Sequence, residues 1–343
     1  MRTVSYLEHI TSQDPVVHLN CRTHQTLALL ASKRTDVSLL FCNALCDTSR
    51  IYDHVYRKRL YRWSYSFAYD SPEVLEILGV RAIQHDSLEI DEFYALARLL
   101  VARDGAVSFF APRSQISYQV DYLHEMKLPV AGFLPHSFLV CGVAETTLDL
   151  LIRDDATANH QFANFTIPND TVLNGFRTTP REWFTDVMTI EMSSMPSRPD
   201  IAEQIYIRDI ETNSDDYELY DILSDSIPAE IDGGSDIYSA PGLNALAMIA
   251  GSRLLFSRFL RFTEHSHQAK ALAKSTVKAI CVILDEATRL YSAPNPATLG
   301  QVQRNLARAQ KQEKALLHLL KKECASAKSA STQVVTRAAY SLT

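Results

Sequence analysis

The sequence predicts an α+β protein, a strand-bearing first half followed by a helical second half. Three observations carry this expectation. "PHSFLVCGV" and "TTLDLLIRDDA" are β-rich runs separated by a few polar residues, as in an antiparallel hairpin. "AVSFFA" reads as a buried strand, and three long segments after residue 240 repeat apolar residues at helical spacing. "SSMPSRPD" marks a boundary, so the expected division is 1–195, an acidic connecting segment 196–240, and a helical domain 241–343.

The elements follow in order. In "HLNCRTHQTLALLAS" Asn20 is a helix cap and Cys21 the first helical residue. Trp63, Tyr65, Phe67 and Tyr69 alternate as in a strand. "SPEVLEILGV" predicts a helix capped by Ser71, begun by Pro72 and stopped at Gly79. "IDEFYALARLLVARDG" predicts another, with Phe93, Leu96, Leu100 and Val101 on one face. The last three helices are "PGLNALAMIAGSRLLFSRFLRF", "HQAKALAKSTVKAICVILDEATRLYS" and "TLGQVQRNLARAQKQEKALLHLLKKECASA", the last two divided at Pro294 and Pro296.

Composition narrows the function classes. Hydrophobic residues make up 46% and charged residues 22%, a globular balance that excludes a disordered chain. A net charge of -6 offers nucleic acid no general attraction. The start of the chain has no continuous apolar stretch of the signal-peptide kind, so a cytoplasmic protein is expected. Leu243 to Phe262 is interrupted by Asn244, Arg253, Arg258 and Arg261, which argues against a membrane span. The six cysteines are scattered, which predicts free thiols, and only Cys42 and Cys46 stand close together, without the second pair that a zinc site needs. No metal is expected.

One constellation carries chemistry. At the start of a helix, backbone N–H groups and the positive end of the dipole favour a thiolate, so Cys21 is placed to be a nucleophile. If the hairpin reverses around Glu145, His136 lies opposite Asp154, an imidazole beside a carboxylate. A one-residue slip substitutes Asp155. The expected roles are Cys21 as nucleophile, His136 as general base and then acid, and Asp154 as the group that orients the ring, the logic of papain-type enzymes. Asn20 or Gln13 would supply a side-chain donor to the oxyanion. A buried structural cysteine and a structurally bonded histidine are the alternative.

The succession "NCRTHQTLALLAS", "SLLFCNALC", "PHSFLVCGV" and "LLIRDDA" resembles the N-terminal domain of the butirosin-biosynthesis H family, itself similar to the bacteriocin leader cysteine peptidases. In those families a cysteine opens the first long helix, a histidine opens an "H-x-x-x-V-x-G" strand and an aspartate ends the next strand. Cys21, His136 and Asp154 match these positions. "SAPGLNALAMIAGSRLLF" resembles the helical domain that accompanies it. Where the family has histidine before the cysteine, glycines after "LLF" and proline after the aspartate, this chain has Asn20, Cys42 with Cys46, and Asp155.

The resemblance implies a papain-like cysteine-peptidase fold with an antiparallel sheet over residues 1–195, followed by a mainly α-helical C-terminal domain. It further implies an acyltransferase of natural-product and antibiotic biosynthesis. Such an enzyme moves an acyl or aminoacyl group from the phosphopantetheine thioester of an acyl or peptidyl carrier protein to a small-molecule amine acceptor. No resident cofactor is implied. Carrier proteins are acidic, and the basic residues Arg304, Arg308, Lys311, Lys314, Lys321 and Lys322 would guide one. A papain-like peptidase or amidase using the same triad, and a non-catalytic binding protein, are the other readings. The helical region is left open as a homodimer interface, a lid or an acceptor-binding wall.

Overall fold

The computed structural model describes residues 19–340 apart from 61–68, 70, 86–87, 104, 126–134, 155–162, 179–186, 193–195 and 236–239. The chain is α+β and divides into two compact units, Met1–Leu40 with Ser66–Arg198, and Phe41–Tyr65 with Pro199–Thr343.

The first unit is built on a six-stranded antiparallel sheet. Its strands are β1 (Val80–His85), β2 (Ala106–Pro112), β3 (Pro135–Val143), β4 (Leu150–Asp154), β5 (Ala163–Ile167) and β6 (Val187–Met192), in spatial order β1-β6-β2-β3-β4-β5. Helix α1 (Cys21–Lys33) packs on β3. The predicted helix at "SPEVLEIL" forms as α3 (Pro72–Leu75), continued by a 3-10 turn, Glu76–Leu78. Ser71 Oγ caps it by accepting from the Val74 N–H at 3.4 Å. It stops at Gly79, whose φ of 65° is left-handed and suits a residue without Cβ.

Helix α4 (Ile90–Ala102) buries Phe93, Ala97 and Leu100 against the sheet. The Phe93 and Phe109 rings meet edge to face at 5.2 Å, and Phe109 lies 5.4 Å from Phe138 of β3. Gly105 joins α4 to β2 where space is closed: a Cβ would stand 2.4 Å from the Ile190 carbonyl oxygen. Helices α5 (Ser117–Glu125) and α6 (Asn169–Thr178) belong to the same unit.

The hairpin forms as predicted, but its register differs. Leu139 pairs with Arg153, and a bulge between Val140 and Gly142 shifts the partners nearer the turn. Continued outward, this register sets Asp154 beside Phe138, two residues from the position expected. Side chains alternate with period two, so an offset of two keeps Asp154 on the same face as His136 and leaves the pair diagonal neighbours. The strand expected across Trp63, Tyr65 and Phe67 lies outside the described residues. Tyr69 is buried in a turn.

The second unit is helical. Short helix α2 (Thr48–Ile51) runs into a π turn, Tyr52–Tyr56, that packs on α9 (Pro241–Phe262). Helices α7 (Pro199–Thr212), α8 (Leu219–Asp232), α10 (His267–Ser292) and α11 (Pro296–Tyr340) surround that core helix or one another. The segment 196–240, expected as an acidic connector, is mostly helix. Its apolar residues explain why: Ala202, Tyr206 and Ile210 recur every four residues, and Tyr220, Leu223 and Ile227 stand three and then four apart. Residues 41–65, expected with the first half, also belong to this unit.

By length and composition α9 is the one helix among the described residues apolar enough to cross a membrane, and 89% of its apolar window is buried. Its Arg253 is buried and forks onto Glu313, with Nε 2.5 Å from Oε1 and a terminal nitrogen 2.8 Å from Oε2. The other terminal nitrogen donates to the Cys46 carbonyl at 2.5 Å. A buried guanidinium is tolerable because its donors are matched this fully. Of the basic residues expected to guide a carrier, Lys321 is engaged within the unit, donating to the Asn213 carbonyl at 2.6 Å.

Candidate active site

Asn20 lies in extended backbone just before α1, and its Oδ1 accepts the Thr23 N–H at 2.8 Å. Its carbonyl accepts the His24 N–H at 3.0 Å. These are the bonds of an N-cap. They make Cys21 the first helical residue, where the helix offers its own N–H no acceptor.

β3 brings the histidine to this helix end. The Ser137 N–H donates to Cys21 Sγ at 3.3 Å, and the Cys21 and His136 side chains hydrogen-bond. Burial alone would push the thiol up. The charge and hydrogen bond of His136, with the bond from Ser137, outweigh it and bring the thiol from 9.0 down to about 7. Burial likewise works against a charged ring at His136, but Asp154 and then the Cys21 thiolate outweigh it and raise the imidazole from 6.5 to about 9. Between these values thiolate and imidazolium coexist.

Asp154 ends β4 with no exposed surface, and His136 is 2% exposed. His136 Nε2 is 3.0 Å from each carboxylate oxygen. The acid is saturated by three further donors: Gln25 Nε2 to Oδ1 at 3.1 Å, and Tyr118 Oη and Gln119 Nε2 to Oδ2 at 2.8 and 2.5 Å. Gln25 is itself fully used. Its amide nitrogen also donates to the Ser137 carbonyl at 2.8 Å, and its Oε1 accepts from Ser137 Oγ at 3.0 Å. The Tyr118 ring is held flat on Phe165, centroids 3.9 Å apart.

The site therefore brings together Cys21, His136 and Asp154, with Asn20 as a cap. Gln13 and Asp155 lie outside the described residues. Gln25, Tyr118, Gln119 and Arg113 are neighbours that sequence reasoning missed. Gln25 had a signal, since it stands four residues after Cys21 and shares its helix face. Tyr118, Gln119 and Arg113 had none, because the fold alone brings the α5 region to the end of β4.

All six cysteines are free thiols. Burial pushes Cys42 up to about 12, with Asp209 adding to the effect, and also raises Cys141 and Cys324. Among the described residues no cluster of three His, Cys, Asp or Glu is fit to hold a metal ion. What the site offers chemically is an activated sulfur, a ring that can take and return its proton, and a fixed carboxylate behind that ring. No family model matches the chain, and no curated protein matches it.

Proposed function

We propose that this chain is a cysteine-dependent acyltransferase acting through a thioester on Cys21. The observation that carries the reading is the continuous bonding from sulfur to imidazole to buried carboxylate, Cys21 to His136 to Asp154. The first half-reaction is thioester exchange. The Cys21 proton passes to His136, the sulfur forms a bond to the donor carbonyl carbon, and the donor sulfur leaves with the proton. In the second, His136 takes a proton from an amine, the amine nitrogen attacks, and the Cys21 sulfur leaves to give an amide. Asp154 holds the ring in the tautomer and orientation both steps need. The Cys21 N–H, at the positive end of α1, stands ready for the oxyanion.

A thioester is the donor that suits this sulfur, because exchange between two thiols is nearly balanced and leaves the acyl group activated. The likeness of the four motifs to the butirosin-biosynthesis H family supports a carrier-bound phosphopantetheine thioester as donor and a small amine as acceptor in natural-product biosynthesis.

Intact mass spectrometry tests the reading. Incubation with acyl thioesters is expected to add one acyl mass on Cys21, absent in Cys21→Ala, that persists until an amine is supplied. Loss of the adduct in buffer alone would make the chain a hydrolase. No adduct from any thioester would overturn the proposal.

A further inference from the structure

Arg113 opens the short turn Arg113–Gln115 after β2, half-buried, with a terminal nitrogen 2.9 Å from His136 Nδ1. Among the described residues no carboxylate pairs with it. A guanidinium has donors only, so this contact requires a bare lone pair on Nδ1, with the ring proton on Nε2 facing Asp154. Nδ1 is also the nitrogen left to receive the Cys21 proton, because Nε2 is committed to the acid. Arg113 and the Cys21 proton therefore compete for one nitrogen, and the guanidinium weighs against the protonated ring.

Another acceptor for Arg113 would tip this competition toward the thiolate and imidazolium, and the substrate is what can bring one. In a two-step exchange the thiol is deprotonated when the acyl donor arrives, before any amine is needed, so the acceptor group belongs to the donor. The arginine stem tethers the guanidinium beside the ring, which puts that group a few bonds from the reacting carbonyl. The phosphate of a pantetheine arm stands too far down the chain from its thioester to serve.

We propose that Arg113 is a specificity-determining residue that binds a carboxylate carried on the acyl group of the donor thioester, and that this binding frees His136 Nδ1 to accept the Cys21 proton. The inference rests on the acyl-transfer reading above. Once Nδ1 is free, the Cys21 S–H bond breaks toward it and the sulfur lone pair forms the new S–C bond. The donor C–S bond then breaks, its sulfur taking the proton back from Nδ1. The charge of Arg113 also opposes protonation of His136, and pairing it with a carboxylate relieves that opposition.

The test compares N-acetylcysteamine monothioesters of succinate and of butyrate, with acylation of Cys21 followed by mass spectrometry. The wild-type chain is expected to take the succinyl group at least about tenfold faster, the size of a charge-assisted bond. In Arg113→Gln the ratio falls to about one as succinyl transfer slows and butyryl transfer quickens. Arg113→Lys, which keeps a charge, retains part of the preference. Equal rates in the wild type, or a preference that survives in Arg113→Gln, would overturn the inference.

Alkylation of Cys21 by iodoacetamide, with and without free succinate at matched ionic strength, gives a readout independent of turnover. Succinate is expected to speed alkylation near neutral pH in the wild type and not in Arg113→Gln. If neither thioester labels Cys21 but this response is present, acyl transfer is overturned and the carboxylate site stands. Alkylation indifferent to both succinate and Arg113→Gln overturns the site.

Discussion

Asp154→Asn removes one charge from a fully buried position while keeping a side chain of nearly the same shape. The Asp154 charge is the largest influence holding the His136 imidazole up at about 9 against its burial, and the charged imidazole is what holds Cys21 down at about 7. With the charge gone, burial governs both groups: the ring returns to 6.5 or below and the thiol to 9.0 or above. At pH 7 the wild-type sulfur is about half thiolate, and a thiol of pKa about 9 is only about 1% so. Alkylation of Cys21 by iodoacetamide at that pH is therefore expected to slow about fiftyfold, and its pH midpoint to move up by about two units. Far-ultraviolet circular dichroism of the variant checks that it folds. A folded variant whose midpoint stays near the wild-type value would refute the account of how this sulfur is activated.

Acylation should follow a bell with midpoints at about 7 and about 9, since below the first the sulfur is protonated and above the second the ring has lost the proton the leaving sulfur needs. A single rising limb in stopped-flow acylation would contradict this. Gln25→Ala leaves the Ser137 carbonyl and one oxygen of Asp154 short of a donor, and is expected to cost about 1–3 kcal/mol in denaturant melts as well as slowing acylation. Glu313→Ala strands the Arg253 guanidinium inside the helical unit and is expected to cost about 3–5 kcal/mol. Arg253→Met with Glu313→Leu should recover much of that loss in thermal unfolding.

What could be read from the residues was local. Asn20, Ser71 with Pro72, and Gly79 announce helix ends because a cap is a bond between residues three apart, and the long helices after residue 240 repeat their apolar face many times over. The hairpin was legible as two strands and a reversal. Its register was not: the chain reverses between Thr146 and Thr147 rather than around Glu145, the bulge between Val140 and Gly142 takes back part of that offset, and the pairing came out two residues away. His136 and Asp154 still meet because an even slip preserves the face. Residues 199–232 misled through their acidic outer surface, although Tyr206, Ile210, Leu223 and Ile227 carried the helical stripe. The surroundings of Asp154 were out of reach: Tyr118 and Gln119 are 36 and 35 residues away along the chain and meet it only once the sheet has formed.

Gln25 has one amide hydrogen on the acid and the other on the strand that bears the base, while its backbone belongs to the helix that bears the sulfur. A single planar group thus pins helix, strand and carboxylate together at one point. Drift at this corner must be concerted, since a lineage that alters the carboxylate also loosens the helix from the sheet. A related chain in which Cys21 is replaced would be expected to keep Gln25, whose bonds serve the fold as well as the site.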